Sequence, residues 1–93
     1  MINTEIIERF RSNFPILQSK VYNKPLVYLD SAATAQKPLQ VLECEQMLYT
    51  TLNANIHRGV HYLSEQMTAR YEQARQRVAN FIGAKSTSEV VFT

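Results

Sequence analysis

The chain has one cysteine, Cys44, in 93 residues. No internal disulfide can form, and a reducing compartment is the expected one. Long apolar runs are missing too, since the longest span a few residues against the ~20 that a bilayer requires. The opening Met1-Ile2-Asn3-Thr4-Glu5 places an acid where a secretory leader carries basic residues followed by an apolar core. Neither charge sign dominates: ten basic and eight acidic residues leave a net charge of +2. With no run of five like charges, nothing offers an electrostatic footprint for nucleic acid. There is no Gly-rich phosphate loop, no Ser/His/Asp set, no cluster of metal ligands, no internal repeat and no Gly/Ser linker. These absences give a cytoplasmic protein without nucleic-acid or membrane partners as the expectation.

The residues that are present read as globular. A hydrophobic fraction of 45% and a charged fraction of 19% fit an ordinary folded domain. A chain of this size buries ~60–65% of its extended surface. The first segment reads as a short amphipathic helix, with Thr4 as N-cap, Ile6, Ile7, Phe10 and Phe14 on one face, and Pro15 closing it. Val21-Tyr22 and Leu26-Val27-Tyr28-Leu29 read as two short strands around a turn at Asn23-Lys24-Pro25. Asp30-Ser31-Ala32-Ala33-Thr34 is a run of small residues and cap formers that lets backbone approach something closely or opens a helical turn. Pro38 suits the first turn of a helix reaching about residue 52, and residues 55–63 read as a loop. The longest helix follows, with Ser64 as N-cap, apolar residues from Met67 to Ile82 at spacings of mostly three and four, and Gly83 at its stop. Glu89-Val90-Val91-Phe92-Thr93 reads as a strand buried on both faces, as in a parallel sheet. An edge strand pairing back on residues 26–29 is the alternative.

Several residues could carry chemistry. His57 and His61 stand four apart, the spacing of a shared metal on a helix face. Arg58 between them adds a positive charge, Gly59 weakens the helix, and no acid stands where a metalloprotease glutamate would. Two readings remain: a loop presenting His57 and Arg58 to an anionic or aromatic ligand, and a polar loop whose side chains bond nearby carbonyls. Cys44 lies between Glu43 and Glu45, which oppose thiolate formation, so its reading is structural. Arg70, Arg75 and Arg77 read as the wet face of the long helix, offset by Glu65 and Glu72. Lys37 is left open.

The segment from Tyr28 to Pro38, Tyr-Leu-Asp-Ser-Ala-Ala-Thr-Ala-Gln-Lys-Pro, resembles a segment of the group II (SUF-type) cysteine desulfurases of the class-V aminotransferase family. Asn55 to Ser64, with His57-Arg58-Gly59-Val60-His61 at its centre, resembles a loop of the same family. Phe14-Pro15-Ile16-Leu17, Tyr71 to Ala84 and Glu89 to Thr93 also fit in order.

The resemblance implies an α/β fold, namely the N-terminal fragment of a pyridoxal-phosphate (PLP) dependent transferase of the aspartate-aminotransferase type (fold type I). Its parts would be long helices, a short N-terminal hairpin and the first strand of the large-domain sheet. Residues 1–28 would belong to the small domain and 29–93 would begin the large PLP-binding domain. The intact protein would be a homodimeric cysteine desulfurase. It would convert L-cysteine to L-alanine through an enzyme persulfide and hand sulfur to an acceptor protein for iron–sulfur cluster assembly. Ala32, Ala33, His57 and Arg58 would line the substrate site. The Schiff-base lysine, the phosphate donors and the sulfur-accepting cysteine have no counterpart among the 93 residues. The chain alone is therefore expected to be inactive and to hold no PLP covalently. Selenocysteine lyase, cysteine-sulfinate desulfinase or another class-V activity is the alternative chemistry, and a free-standing non-catalytic binding module the alternative class.

Overall fold

Asn3 opens the first helix, α1 (Thr4–Arg11), its side chain accepting a hydrogen bond from the Glu5 amide at 3.0 Å. A computed structural model describes residues 3–93. The expected cap was Thr4; asparagine is the stronger N-cap, and the helix begins one residue earlier. Phe14 lies beyond α1 with extended backbone, because the ring of Pro15 disfavours helical geometry in the residue before it. Pro15 opens a short 3-10 turn over Pro15–Gln18.

The hairpin is real but tighter than expected. Strand β1 (Lys20–Val21) pairs antiparallel with β2 (Lys24–Pro25), with Val21 opposite Lys24. The two turn residues are Tyr22 and Asn23, at φ of 51° and 62°. Two consecutive positive φ values define the two-residue connection whose twist matches the flanking strands. That geometry draws the pairing in towards the turn. Residues 26–29 form no strand, although Leu26 still donates to the Ser19 carbonyl at 3.0 Å.

Helix α2 (Leu39–Thr51) starts directly after Pro38, whose carbonyl accepts from the amides of Val41 and Leu42. Its first residue is tied to the end of α1, because Leu39 donates to the Asn13 carbonyl at 2.7 Å. Helix α3 (Tyr62–Ile82) begins two residues before the expected cap. His61 caps it, with Nδ1 accepting from the Ser64 amide. Ser64 cannot cap, because its hydroxyl is committed to the preceding loop. Gly83 stops α3 as expected, at φ 71°. The Ala84 amide reaches the Ala79 carbonyl and the Gly83 amide the Asn80 carbonyl, the paired bonds of a Schellman ending.

The expected closing strand is not observed as one. Ser86 and Glu89 form a capping box around a 3-10 turn over Thr87–Glu89. Val90 is then extended, but residues 90–93 pair with no strand among the described residues. Extended backbone becomes a strand only when a neighbour fills its ladder, and no such neighbour is present among the described residues.

The chain divides into two compact units, one ending at Met47 and the other running Leu48–Thr93. Burial is sparse. Ala79 and Ser64 are fully enclosed and Val90 is 7% exposed, whereas Phe10 of α1 is 64% exposed and Phe81 of α3 is 91% exposed. No helix among the described residues is long and apolar enough to cross a membrane.

Candidate functional site

In the first unit, the small-residue run forms a single helical turn. The Asp30 carbonyl accepts from Ala33 at 3.0 Å and from Thr34 at 3.3 Å. Tyr28 pins both ends: its hydroxyl donates to the Thr34 carbonyl at 2.6 Å and lies 3.1 Å from that of Asp30. Ala32 and Ala33 form the exposed apex, where methyl side chains leave the backbone open to close approach. A cleft of about 350 Å³ runs beside this turn, with Arg11, Phe14, Leu17, Tyr28, Ser31 and Ala35 among its walls. Replacing Tyr28 by phenylalanine removes the pin, at an expected cost of about 0.5–1.5 kcal/mol. Faster hydrogen exchange at the amides of Ala33 and Thr34 is the readout.

In the second unit, the loop before α3 is fixed from three directions. Ser64 donates its hydroxyl proton to the Asn55 carbonyl at 2.6 Å and accepts from the Gly59 amide at 3.1 Å. The His57 amide donates to Thr68 Oγ1 at 2.8 Å, which offsets the left-handed backbone of His57 at φ 64°. His57 Nε2 lies 2.7 Å from Glu72 Oε1. Glu72 Oε2 accepts from Arg75 Nε at 3.0 Å, and Arg75 Nη1 donates to the Val90 carbonyl. An aromatic row follows the same line. The His57 ring meets Tyr71 edge-on at 5.5 Å, Tyr71 meets Phe92 edge-on at 5.0 Å, and the Arg75 guanidinium lies 5.3 and 5.2 Å from the Tyr71 and Phe92 rings. Arg58 is exposed at the loop surface.

The hydrogen bond with His57, and then that from Arg75, hold the Glu72 carboxyl below its ordinary value of 4.5. A lowered folded value means that the contribution of Glu72 is complete above the unfolded carboxyl range and fades as pH falls through the lowered one. Acidification through that window is expected to release the His57 ring and Arg75. Loss of the His57–Tyr71 ring contact in NMR spectra would report it, and a Glu72→Leu variant should show no such step.

Arg75 was expected on the wet face with Arg70 and Arg77; instead its side chain is only 19% exposed and bridges Glu72 to Val90. Arg70 and Arg77 are exposed, as expected. The two histidines engage different partners. His57 faces Glu72, His61 caps α3, and no group of three or more ligating side chains exists among the described residues. Cys44 is exposed on α2.

The family profile described as aminotransferase class-V matches residues 27–93. The chain belongs to the aminotransferase class-V family. This class-V chain is 53% identical to a probable cysteine desulfurase of Streptomyces coelicolor over 94 aligned positions, covering 100% of the chain and 22% of that relative. It is 51% identical to a cysteine desulfurase of Klebsiella pneumoniae over 86 positions, covering 92% of the chain and 21% of that relative. Among solved structures, the apo form of a cysteine desulfurase from Thermococcus onnurineus NA1 matches at 40% identity and a TM-score of 0.70, over 84% of this chain and 18% of that one. The likeness agrees with the expected α/β class of PLP-dependent fold type I proteins. The class-V chain spans about a fifth of the length of the curated relatives it matches, 22% in the first case.

PLP dependence follows from the family, but these residues do not fit the coenzyme's anchors. All four lysines, Lys20, Lys24, Lys37 and Lys85, are exposed, and none borders the cleft. Lys37 Nζ donates to the Ala35 carbonyl at 2.8 Å. No step through the coenzyme is assigned to residues of this chain.

Proposed function

We infer that these residues serve as the N-terminal part of a PLP-dependent cysteine desulfurase. The reaction breaks the C–S bond of L-cysteine. The sulfur passes to an enzyme thiol as a persulfide, and the carbon skeleton leaves as L-alanine. The persulfide sulfur then goes to an acceptor protein that feeds iron–sulfur cluster assembly in the cytoplasm, and the working enzyme is a homodimer. One observation carries this reading: identity of 53% over 100% of the chain to a relative named as a probable cysteine desulfurase. The uncovered apolar faces of α1 and α3, with Phe10 and Phe81 largely in solvent, fit residues that pack against further parts of such an enzyme.

Within that enzyme, residues 1–28 belong to the small domain and 29–93 to the large one. Ala32 and Ala33 at the open turn, and His57 and Arg58 on the braced loop, line the substrate site. An exposed guanidinium suits the carboxylate of an amino acid, which it can bind through two parallel hydrogen bonds.

The test is turnover of L-cysteine by the complete protein carrying these residues, with PLP and a thiol reductant. Sulfide and alanine are expected in equal amounts. Alanine formed from selenocysteine or cysteine sulfinate but not from cysteine would overturn the reading in favour of another class-V chemistry. Turnover of none of these would overturn it in favour of a binding module.

A further inference from the structure

Glu72 stands between two nitrogen donors, and this fixes the direction of every bond around it. A guanidinium only donates and an ionised carboxylate only accepts. With Arg75 Nε donating to Oε2 at 3.0 Å, and with Oε1 2.7 Å from His57 Nε2, the carboxylate receives from both sides. His57 must therefore carry a proton on Nε2. In the neutral ring the other nitrogen, Nδ1, is then the acceptor. Arg75 is held in turn by the Val90 carbonyl and by the faces of Tyr71 and Phe92, so the carboxylate it grips is not free to turn.

We propose that Glu72 and Arg75 are positioning residues that lock neutral His57 as its Nε2–H tautomer, so that the loop bearing Arg58 offers an acceptor at Nδ1. The role rests on the reading that this loop lines the substrate site. There, Nδ1 adds an acceptor to a loop whose exposed Arg58 guanidinium suits a substrate carboxylate. Neither Glu72 nor Arg75 needs to touch that molecule.

Glu72→Gln provides the test. Arg75 can still only donate, so it keeps the amide oxygen and turns the NH₂ towards His57. Nε2 must then accept, and the proton moves to Nδ1. NMR of isotope-labelled histidine in the complete protein at mildly alkaline pH reads this directly. The wild type should show His57 protonated at Nε2, and Glu72→Gln should show it protonated at Nδ1. Adding Arg75→Leu to Glu72→Gln frees the amide to rotate and should return the proton to Nε2. A purely structural pair would not move the proton in this pattern. With L-cysteine, Glu72→Gln is expected to raise KM about tenfold with kcat changed less than about twofold, as for a lost binding contact.

A wild-type His57 protonated at Nδ1, or a Glu72→Gln protein still protonated at Nε2, would overturn the proposal. The first of these needs no variant, so a variant that fails to fold does not rescue it. A normal KM with a reduced kcat would also overturn it. The desulfurase reading fails separately: the tautomer series would hold while the wild type leaves L-cysteine unchanged.

Discussion

Replacing Gly59 by alanine is expected to destabilise the second unit by about 2–4 kcal/mol, the combined effect of forced overpacking and lost hydrogen bonds. A Cβ built at Gly59 falls onto the Cβ and Oγ of Ser64, with His61 Nε2 another 3.1 Å away. Ser64 is fully enclosed and has nowhere to go. Its hydroxyl also accepts from the Gly59 amide and donates to the Asn55 carbonyl, so the shift that relieves the collision breaks both bonds. Urea unfolding measures the loss. Adding Ser64→Ala should not relieve it, because the colliding Cβ remains. Adding Ser64→Gly should relieve the collision but leave both hydrogen bonds missing, so recovery is partial. Full recovery with Ser64→Ala would mean that the loop yields where the structure holds it tight.

The second large effect is expected at Arg75. Arg75→Leu removes the donors to Glu72 and to the Val90 carbonyl and the cation from above the Tyr71 and Phe92 rings. Charged hydrogen bonds and cation–π contacts of this kind give an expected loss of about 2–3 kcal/mol, and the leucine stem replaces only the apolar packing. The loss should concentrate at residues 90–93, where it corresponds to roughly thirty- to 150-fold faster exchange of the Val90 amide. Arg75→Lys keeps the charge but cannot serve Glu72 and Val90 with a planar fork, so it should recover less than half of the loss. Equal stability of the lysine and arginine proteins would show that only charge matters there.

Helix α3 was the most readable element in the sequence, because its signals are local: three- and four-residue apolar spacing, and a glycine where the chain must turn left-handed. Its start was misplaced for the opposite reason. Ser64 has the chemistry of a cap, but its hydroxyl holds Asn55 and Gly59, and the capping falls to His61. That commitment depends on how the loop folds back, which spacing along a helix does not express. The hairpin was located correctly, but its register was set by the positive φ of Tyr22 as well as Asn23, and tyrosine does not advertise that conformation. The closing segment shows the limit of composition. Val90-Val91-Phe92 has the look of a strand, yet a strand is a relation between neighbours, and here the backbone is extended and unpaired among the described residues.

The His57–Arg58 loop could be singled out from its residues, but the group that braces it could not. Glu72 and Arg75 are three apart on one helix face, a spacing that on its own marks an ordinary surface pair. What sets this pair apart is its non-local contact at each end, with His57 fifteen residues before Glu72 and Val90 fifteen residues after Arg75. The available clue was an arginine one helical turn after Tyr71 and Glu72, with more donors than that one carboxylate can satisfy.

The polar bridge through Glu72 and Arg75 and the ring-to-ring contacts through Tyr71 run side by side from Val90 and Phe92 back to His57. The segment after the last helical turn and the loop before the first one are thus yoked across the flank of a single rod. Loosening residues 90–93 is therefore expected to register at the imidazole, at the far end of the same line of contacts.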